Sequence, residues 1–292
     1  MGANCVTDIT PLLTLKNLTH LVLSNYPDTP IEGSNRITNI DKLSSLQKLE
    51  SLSIAANNLE DISALKNLNA LKKLDINFNQ ISDIQPLEKL MCLQSLKLSY
   101  NNIRDVRFLK NLTALQELYL GGNKVTDVRF LKNLTALQIL FLGGNEISDV
   151  RFLENLTALQ NLQLRNNQIS DITPLLFLIK KGISVTMKER GSGINLFNNP
   201  LTVPPPEIVA QGNQAILEYF RQKKATGAEP LLEAKLILLG DGRSGKTSLA
   251  CRLLRQPLPK EADRTEGVDI IIGDYQFPVA SGRQFQLNIW DF

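Results

Sequence analysis

Residues 109–130 read LKNLTALQELYLGGNKVTDVRF, and residues 131–152 read LKNLTALQILFLGGNEISDVRF. Each stretch is 22 residues long, and apolar side chains recur at the same places in both. A period in this range marks an array of stacked units rather than a conventional globular core. Working outward in both directions, six full copies begin at Leu43, Leu65, Leu87, Leu109, Leu131 and Leu153. One copy contributes Leu109, Leu112, Leu115, Leu118, Leu120, Asn123, Val125 and Val128, and the others differ from it only by aliphatic exchanges.

Each position in the period has a mechanical reading. The pair Leu118 and Leu120 alternates as a strand does, so both side chains point inward and each copy supplies one short strand to a parallel sheet. Asn57, Asn79, Asn101, Asn123, Asn145 and Asn167 fall where the chain leaves the strand. Their amides can satisfy turn backbone that no regular structure covers, forming a ladder between copies. Asp61, Asp83, Asp105, Asp127, Asp149 and Asp171 follow, each placed as an N-cap before a short apolar segment. No copy buries its leucines alone, so stacking is obligatory. In these features the array resembles a leucine-rich-repeat solenoid.

The array extends beyond the six copies. Asn4, Val6, Ile9 and Leu12 match the second half of a unit, and the copy from Leu12 to Lys42 holds about nine extra residues within Asn25–Ser34, a predicted protruding loop. After Leu175 an irregular unit is expected to cap the array, with a strand at Ile183–Met187 followed by Asn195–Leu201. The N-terminus opens in mid-repeat without a polar cap, from which the sequence predicts that the chain is a fragment of something longer.

Composition bounds the function. The 292 residues suffice for two domains, and 43% hydrophobic content is ordinary for a chain with a sizeable core. A net charge of +3 from 32 basic and 29 acidic residues argues against nucleic acid as partner. No apolar run reaches the roughly 18 residues of a membrane span, and Met1–Thr10 lacks a secretory signal pattern. Cys5, Cys92 and Cys251 lie too far apart for a metal site and suggest reduced thiols inside a cell. Cys92 takes a slot held elsewhere by Ala70, Ala114, Ala136 and Ala158, which predicts a small core residue. The one histidine, His20, has no acidic or cysteine partner in register and reads as structural.

Two surface columns are candidates for partners. Phe78, Tyr100, Tyr119, Phe141, Lys73, Lys97 and Arg165 are expected on outward strand positions, where aromatics beside basic residues suit binding of a protein or of the protein's own further domain. A merely solvated sheet face is the alternative. On the other side Arg107, Arg129 and Arg151 recur about 5 Å apart, beside Asp105, Asp127 and Asp149. They read as surface ion pairs in preference to a phosphate site.

The period breaks at Thr202–Pro206, and residues 207–224 read as one amphipathic helix weakened at Gly212. The expected organisation is a solenoid over 1–201, a junction over 202–230, and a second domain over 231–292. That domain opens with a strand-like run, Lys235–Leu239, which leads into Gly240, Asp241, Gly242, Arg243, Ser244, Gly245, Lys246 and Thr247, the pattern G-x-x-x-x-G-K-[ST]. Helical spacing resumes at Ser248. Glycines let backbone N–H groups face phosphate, and the helix N-terminus adds positive character. Lys246 is expected to reach the β- and γ-phosphates, and the Thr247 hydroxyl to hold Mg²⁺. Arg243 either touches phosphate or points to solvent, and the latter is preferred. Thr265 lies 19 residues after Lys246, before strand-like runs at Val268–Ile272 and Phe285–Trp290, the second of which ends in Asp291. A hairpin of strands ending in an aspartate is the layout of Ras-like GTPases, in which Thr265 and Asp291 would match the two further Mg²⁺-holding positions.

GDGRSGKTSL, RTEGVDI and LNIWDF resemble the opening motifs of the Roc domain, the Ras-like GTPase of Roco proteins, and NNPLTVPPPEIVAQGNQAILEYF is similar to the junction before it in bacterial members. The fold class is thus α/β, a leucine-rich-repeat solenoid followed by the N-terminal part of a P-loop Ras-like GTPase domain. The resemblance implies a cytoplasmic switch protein that binds GTP or GDP with Mg²⁺, with a dimerising COR domain after Roc and repeats that bind partners. The chain ends at Phe292, before the glycine of D-x-x-G and without the base-reading N-K-x-D motif, so guanine specificity comes from the resemblance and no residue is named to position the attacking water. Two other readings stand beside it: a repeat scaffold whose nucleotide domain is inactive in this fragment, and a STAND-type ATPase.

Overall fold

In the computed structural model the described residues are 6–25, 37–225, 233–238, 246–253, 269–275 and 285–291. Contacts divide the chain into two units, Met1–Arg221 and Gln222–Phe292.

The first unit is the solenoid. Its strands are β1 (His20–Val22), β2 (Ser51–Ser53), β3 (Lys73–Asp75), β4 (Ser95–Lys97), β5 (Glu117–Tyr119), β6 (Ile139–Phe141) and β7 (Asn161–Gln163), each paired in parallel with the next. The register advances by one repeat, with Leu74 opposite Leu96, Leu118 and then Leu140 in successive strands. These central leucines, with those at the other repeat positions, form one continuous core in which Leu98, Leu112, Leu118 and Leu131 have no exposed surface. Each such side chain contributes about 2 kcal/mol through burial. Opposite the sheet, short 3-10 helices return the chain, for example Ser63–Asn67, Arg129–Asn133 and Arg151–Asn155. Thr10–Thr14 is the same element in the expected half-unit, and Ile9 beside it is buried.

The asparagine ladder forms as expected. Asn123 Oδ1 accepts the Ile103 N–H at 3.0 Å, while its Nδ2 donates to the carbonyls of Leu98 and Leu120, each at 3.0 Å. Asn79, Asn101, Asn145 and Asn167 repeat the geometry. Asn57 keeps it across the long copy, where its donor bond spans 34 residues against the usual 25, the difference of nine matching the insertion. Of that insertion Asn25 is buried, and the expected protruding loop otherwise lies outside the described residues. The aspartates act one residue earlier than an N-cap. Asp61, Asp83, Asp105, Asp127, Asp149 and Asp171 each accept the backbone N–H two residues on, an Asx-turn just ahead of the 3-10 helix. The formal N-caps are the buried apolar residues between, such as Ile62 and Val128, which make no side-chain cap.

One expectation fails here. Cys92 is exposed: its slot lies in the turn beside the 3-10 helix, where the corresponding alanines are only half-buried. In the capping unit the expected strand forms as β8 (Val185–Thr186), and a further two-residue strand, β9 (Ile194–Asn195), pairs between it and β7. Asn199 then occupies the ladder slot, accepting the Ile169 N–H at 3.1 Å. Asn195 is wholly buried; its Oδ1 accepts the Phe197 N–H, and its Nδ2 has no partner among the described residues.

A short helix, α1 (Leu176–Lys180), precedes this cap. The junction forms two helices rather than one, α2 (Pro206–Ala210) and α3 (Asn213–Ala225). The break falls at Gly212, whose φ of +91° ends α2 in a left-handed turn closed by its N–H on the Val209 carbonyl. Asn213 then accepts the Val185 N–H at 2.9 Å and donates to the Ile183 carbonyl at 2.8 Å, which latches α3 to β8.

The second unit contains β10 (Glu233–Leu238), α4 (Lys246–Leu253), β11 (Asp269–Tyr275) and β12 (Phe285–Asp291). The sheet order is β10-β12-β11, with β12 parallel to β10 and antiparallel to β11.

Candidate functional site

The carboxyl ends of β10 and β12 form one edge of the second unit's sheet. Leu238 pairs with Asp291 across them, and Asp291 pairs on its other side with Asp269, the first residue of β11. Residues 239–245 connect this edge to Lys246, the first residue of α4, so the glycine-rich segment lies between a strand's carboxyl end and a helix's amino end. Open α/β sheets bind ligands outside the carboxyl ends of their parallel strands, and free N–H groups of a helix's first turn attract anions. The α4 helix packs against β12. Lys246 is half-buried, and Ser248 is exposed. Backbone positions of Thr247 and Asp291 are thus defined, whereas Gly240, Asp241, Gly242, Arg243, Ser244, Gly245 and Thr265 lie outside the described residues. Among the described residues β11 and β12 are consecutive strands and pair antiparallel.

On the solenoid, Lys73, Lys97, Tyr119 and Phe141 stand on strands, as expected for the concave face. The Tyr119 and Phe141 rings meet edge to face at 4.7 Å, and Lys97 Nζ lies 5.5 Å from the Tyr119 ring centre. Burial raises the Tyr119 phenol's pKa, and Glu117 adds to the shift. Arg165 lies two residues beyond β7 and donates to the Glu189 carbonyl at 3.0 Å. Phe78 and Tyr100 are not outward strand residues: they sit in the turn after the strand, at φ +55° and +56°. Ala56, Gly122, Gly144, Asn166 and Asn198 hold the same left-handed position in other units. Glycine or asparagine takes this conformation readily, whereas a bulky side chain costs about 1–2 kcal/mol. The two rings stack in parallel at 4.5 Å, each about half exposed. This column escaped sequence reasoning because alternation was extended past the strand's end; the glycines at 122 and 144 are the signal that marks it.

The basic column pairs with its own acids. Arg107 contacts Asp105 and Arg151 contacts Asp149, each at 2.6 Å, and Arg129 contacts Asp127 at 2.8 Å. The Asp149 carboxyl lies below the usual range, through the Arg151 side-chain hydrogen bond first and its backbone N–H second. His20 is exposed and bonds only Thr19, and no metal-ligating cluster occurs among the described residues.

Comparison with known proteins follows the same division. Residues 47–89, 69–111, 93–133 and 135–176 match the family described as Leucine Rich repeats (2 copies), and residues 235–292 match Ras of Complex, Roc, domain of DAPkinase. A Roc-COR-CHAT protease from an unknown prokaryotic organism is 37% identical over 114 residues, covering 33% of this chain and 10% of that protein. Another from Runella zeae is 43% identical over 72 residues, covering 22% and 8%. The chain therefore spans about a tenth of the length of the curated relatives it matches. Among solved structures, an internalin of Listeria monocytogenes has a TM-score of 0.56 at 32% identity, covering 69% of this chain and 60% of its own. A leucine-rich-repeat protein of Leptospira interrogans, at 24% identity, has a TM-score of 0.58 over 77% of this chain and 57% of its own, and supports the fold alone. No helix among the described residues is long and apolar enough to cross a membrane.

Proposed function

We propose, from a chain of Roco-type architecture in which leucine-rich repeats run into the N-terminal part of a Roc domain, that this protein binds and hydrolyses GTP as a molecular switch and carries the repeats as its protein-interaction module. The observation that supports this most is the junction of β10 to α4 through a G-x-x-x-x-G-K-[ST] segment, beside a strand that ends on Asp291.

In this reading Gly240, Gly242 and Gly245 keep side chains away from the phosphates, while the backbone amides of Asp241, Arg243 and Ser244 and of the first turn of α4 through Ser248 donate to them. Lys246 places its ammonium on the β- and γ-phosphates, and Thr247, Thr265 and Asp291 supply oxygen ligands for Mg²⁺. The bound metal would neutralise charge between the β- and γ-phosphates. Donors held in place by the chain would offset the charge that develops as water attacks in line. The fit is chemical: three oxygen donors suit a hard cation, and β10 and β12 end at the sheet edge where α4 begins.

The same reading locates the protein in the cytoplasm, takes guanine over adenine from its relatives, and expects dimerisation through a COR domain. It is tested by single-turnover hydrolysis in the intact protein with radiolabelled GTP and ATP. The expected result is Mg²⁺-dependent phosphate release from GTP, lost in Lys246→Ala. Equal turnover of ATP, or indifference to the substitution, would reject it.

A further inference from the structure

Two residues past each strand, one column of the solenoid runs Ser24, Ala55, Asn77, Ser99, Gly121, Gly143 and Arg165. The backbone N–H groups of this column lie beyond the strand ladder, and three of them find a side chain of the preceding unit; after Ala55, which offers none, the Asn77 N–H bonds Asp75 Oδ1 of its own unit at 3.1 Å. Ser24 Oγ accepts the Ala55 N–H at 2.8 Å, Asn77 Oδ1 the Ser99 N–H at 2.6 Å, and Ser99 Oγ the Gly121 N–H at 3.1 Å. Gly121 then has no side chain, and the relay stops. The Gly143 N–H is left with no partner among the described residues.

The gap is narrow and flanked by donors. A Cβ placed on Gly121 would meet Gly143 O at 3.1 Å, Ser99 Oγ at 3.7 Å and Gly143 N at 4.0 Å, with nothing else closer. That carbonyl is already engaged by the Gly122 N–H at 2.8 Å. Ser99 Oγ makes no further hydrogen bond, so its proton is available. On the far side Arg165 folds over Gly143, its Nε 3.6 Å from where a Cβ would stand. Two neutral donors, the Gly143 N–H and the Ser99 hydroxyl, therefore flank the place where the next serine of the relay would put its oxygen, while the Arg165 side chain, bonded to the Glu189 carbonyl, covers Gly143 one unit further on. Beside them on the strands, Tyr119 and Phe141 form an aromatic pair, with Lys97 over Tyr119.

We propose that the notch at Gly121 takes the carboxylate of an aspartate or glutamate in an extended partner segment, whose neighbouring apolar side chain lies on Tyr119 and Phe141. Donors without a free acceptor select an acceptor-only group, and an ionised one makes the stronger bond. The aromatic pair supplies the apolar contact that a charge on a wet surface lacks. This deepens the reading of the repeats as an interaction module and does not depend on nucleotide binding.

The test uses the intact protein labelled with ¹⁵N-glycine and the peptide acetyl-Gly-Phe-Asp-Gly-amide, with its Phe-Asn analogue and sodium acetate as comparisons. The Gly143 amide resonance is expected to move saturably with the Asp peptide, which binds about tenfold more tightly than the Asn peptide. Gly121→Ser restores the relay and abolishes the response, and Tyr119→Ala, an outward strand residue, weakens it about fivefold or more. Guanine-nucleotide binding measured on the same samples separates the two readings: if nucleotide binds while the Gly143 signal stays still, only this inference falls. An equal response to the Asn peptide, or full binding by Gly121→Ser or Tyr119→Ala, overturns it, as does acetate binding as tightly as the Asp peptide.

Discussion

Replacing Asn123 by alanine tests the element that the solenoid repeats most faithfully. The side chain is 8% exposed and makes three bonds of 3.0 Å, one accepted from Ile103 N–H and two donated to the Leu98 and Leu120 carbonyls. The carbonyls are insured, because Asn101 still donates to Leu98 at 3.1 Å and Asn145 to Leu120 at 3.0 Å. Ile103 N–H has no second partner. An orphaned buried donor costs about 1–3 kcal/mol, and thinning two shared carbonyls adds about 1 kcal/mol. Asn123→Ala should therefore destabilise the solenoid by about 2–4 kcal/mol. Urea unfolding reads the total, and hydrogen exchange at the Ile103 amide reads the local opening. Asn102→Ala is the control: Asn102 is exposed and bonds only Lys124, so its loss should fall within about 0.5 kcal/mol. A matching small loss for Asn123→Ala, with Ile103 still protected, would refute the ladder as a source of stability.

Gly122→Ala should cost more than Gly144→Ala in urea unfolding: both sit at left-handed φ, +65° and +69°, but only at Gly122 does a Cβ meet the Tyr100 ring, at 2.7 Å. Equal costs would exclude ring contact as a constraint. Asn213→Ala removes two bonds between α3 and the β8 region, and limited proteolysis near residues 183–187 should accelerate; an unchanged cleavage rate would mean the latch contributes nothing. Arg151→Ala should bring the Asp149 carboxyl up toward its ordinary pKa, as read by NMR titration. A depressed folded-state pKa stabilises above the unfolded value and is lost as pH falls through the folded one, so the variant should lose less stability on acidification. Solvent screening keeps that difference small.

Much of the solenoid was legible because each repeat depends on its neighbours, which forces the pattern to recur. The leucines, the asparagine ladder and the strand slots at Leu74, Leu96, Leu118 and Leu140 follow from the period alone. What escaped is local geometry that apolar spacing does not encode. Periodicity carried the junction helix across Gly212, although a left-handed residue there divides it into α2 and α3. Phe78 and Tyr100 looked like strand residues because alternation was carried past the strand's end, and only the glycines at the equivalent positions reveal the turn. In the cap, Ile183–Met187 was readable as a strand, whereas β9 was not, because two residues are too short to show alternation; Ile194 takes the register of Leu162. For the candidate nucleotide site, the order of strand, glycine segment and helix was readable from chemistry in the sequence, as was the pairing of β11 with β12. The contribution of Thr265 depends on contacts that no spacing specifies.

The central claim, a guanine-nucleotide seat at the amino end of α4, is tested most directly by equilibrium binding of fluorescent mant-GDP and mant-ADP to the intact protein with Mg²⁺. The account predicts saturable mant-GDP binding, at least about 100-fold tighter than mant-ADP, a gap of roughly 2.7 kcal/mol, and its collapse in Lys246→Ala. Equal affinity for the two nucleotides, or unchanged mant-GDP binding in Lys246→Ala, would contradict it.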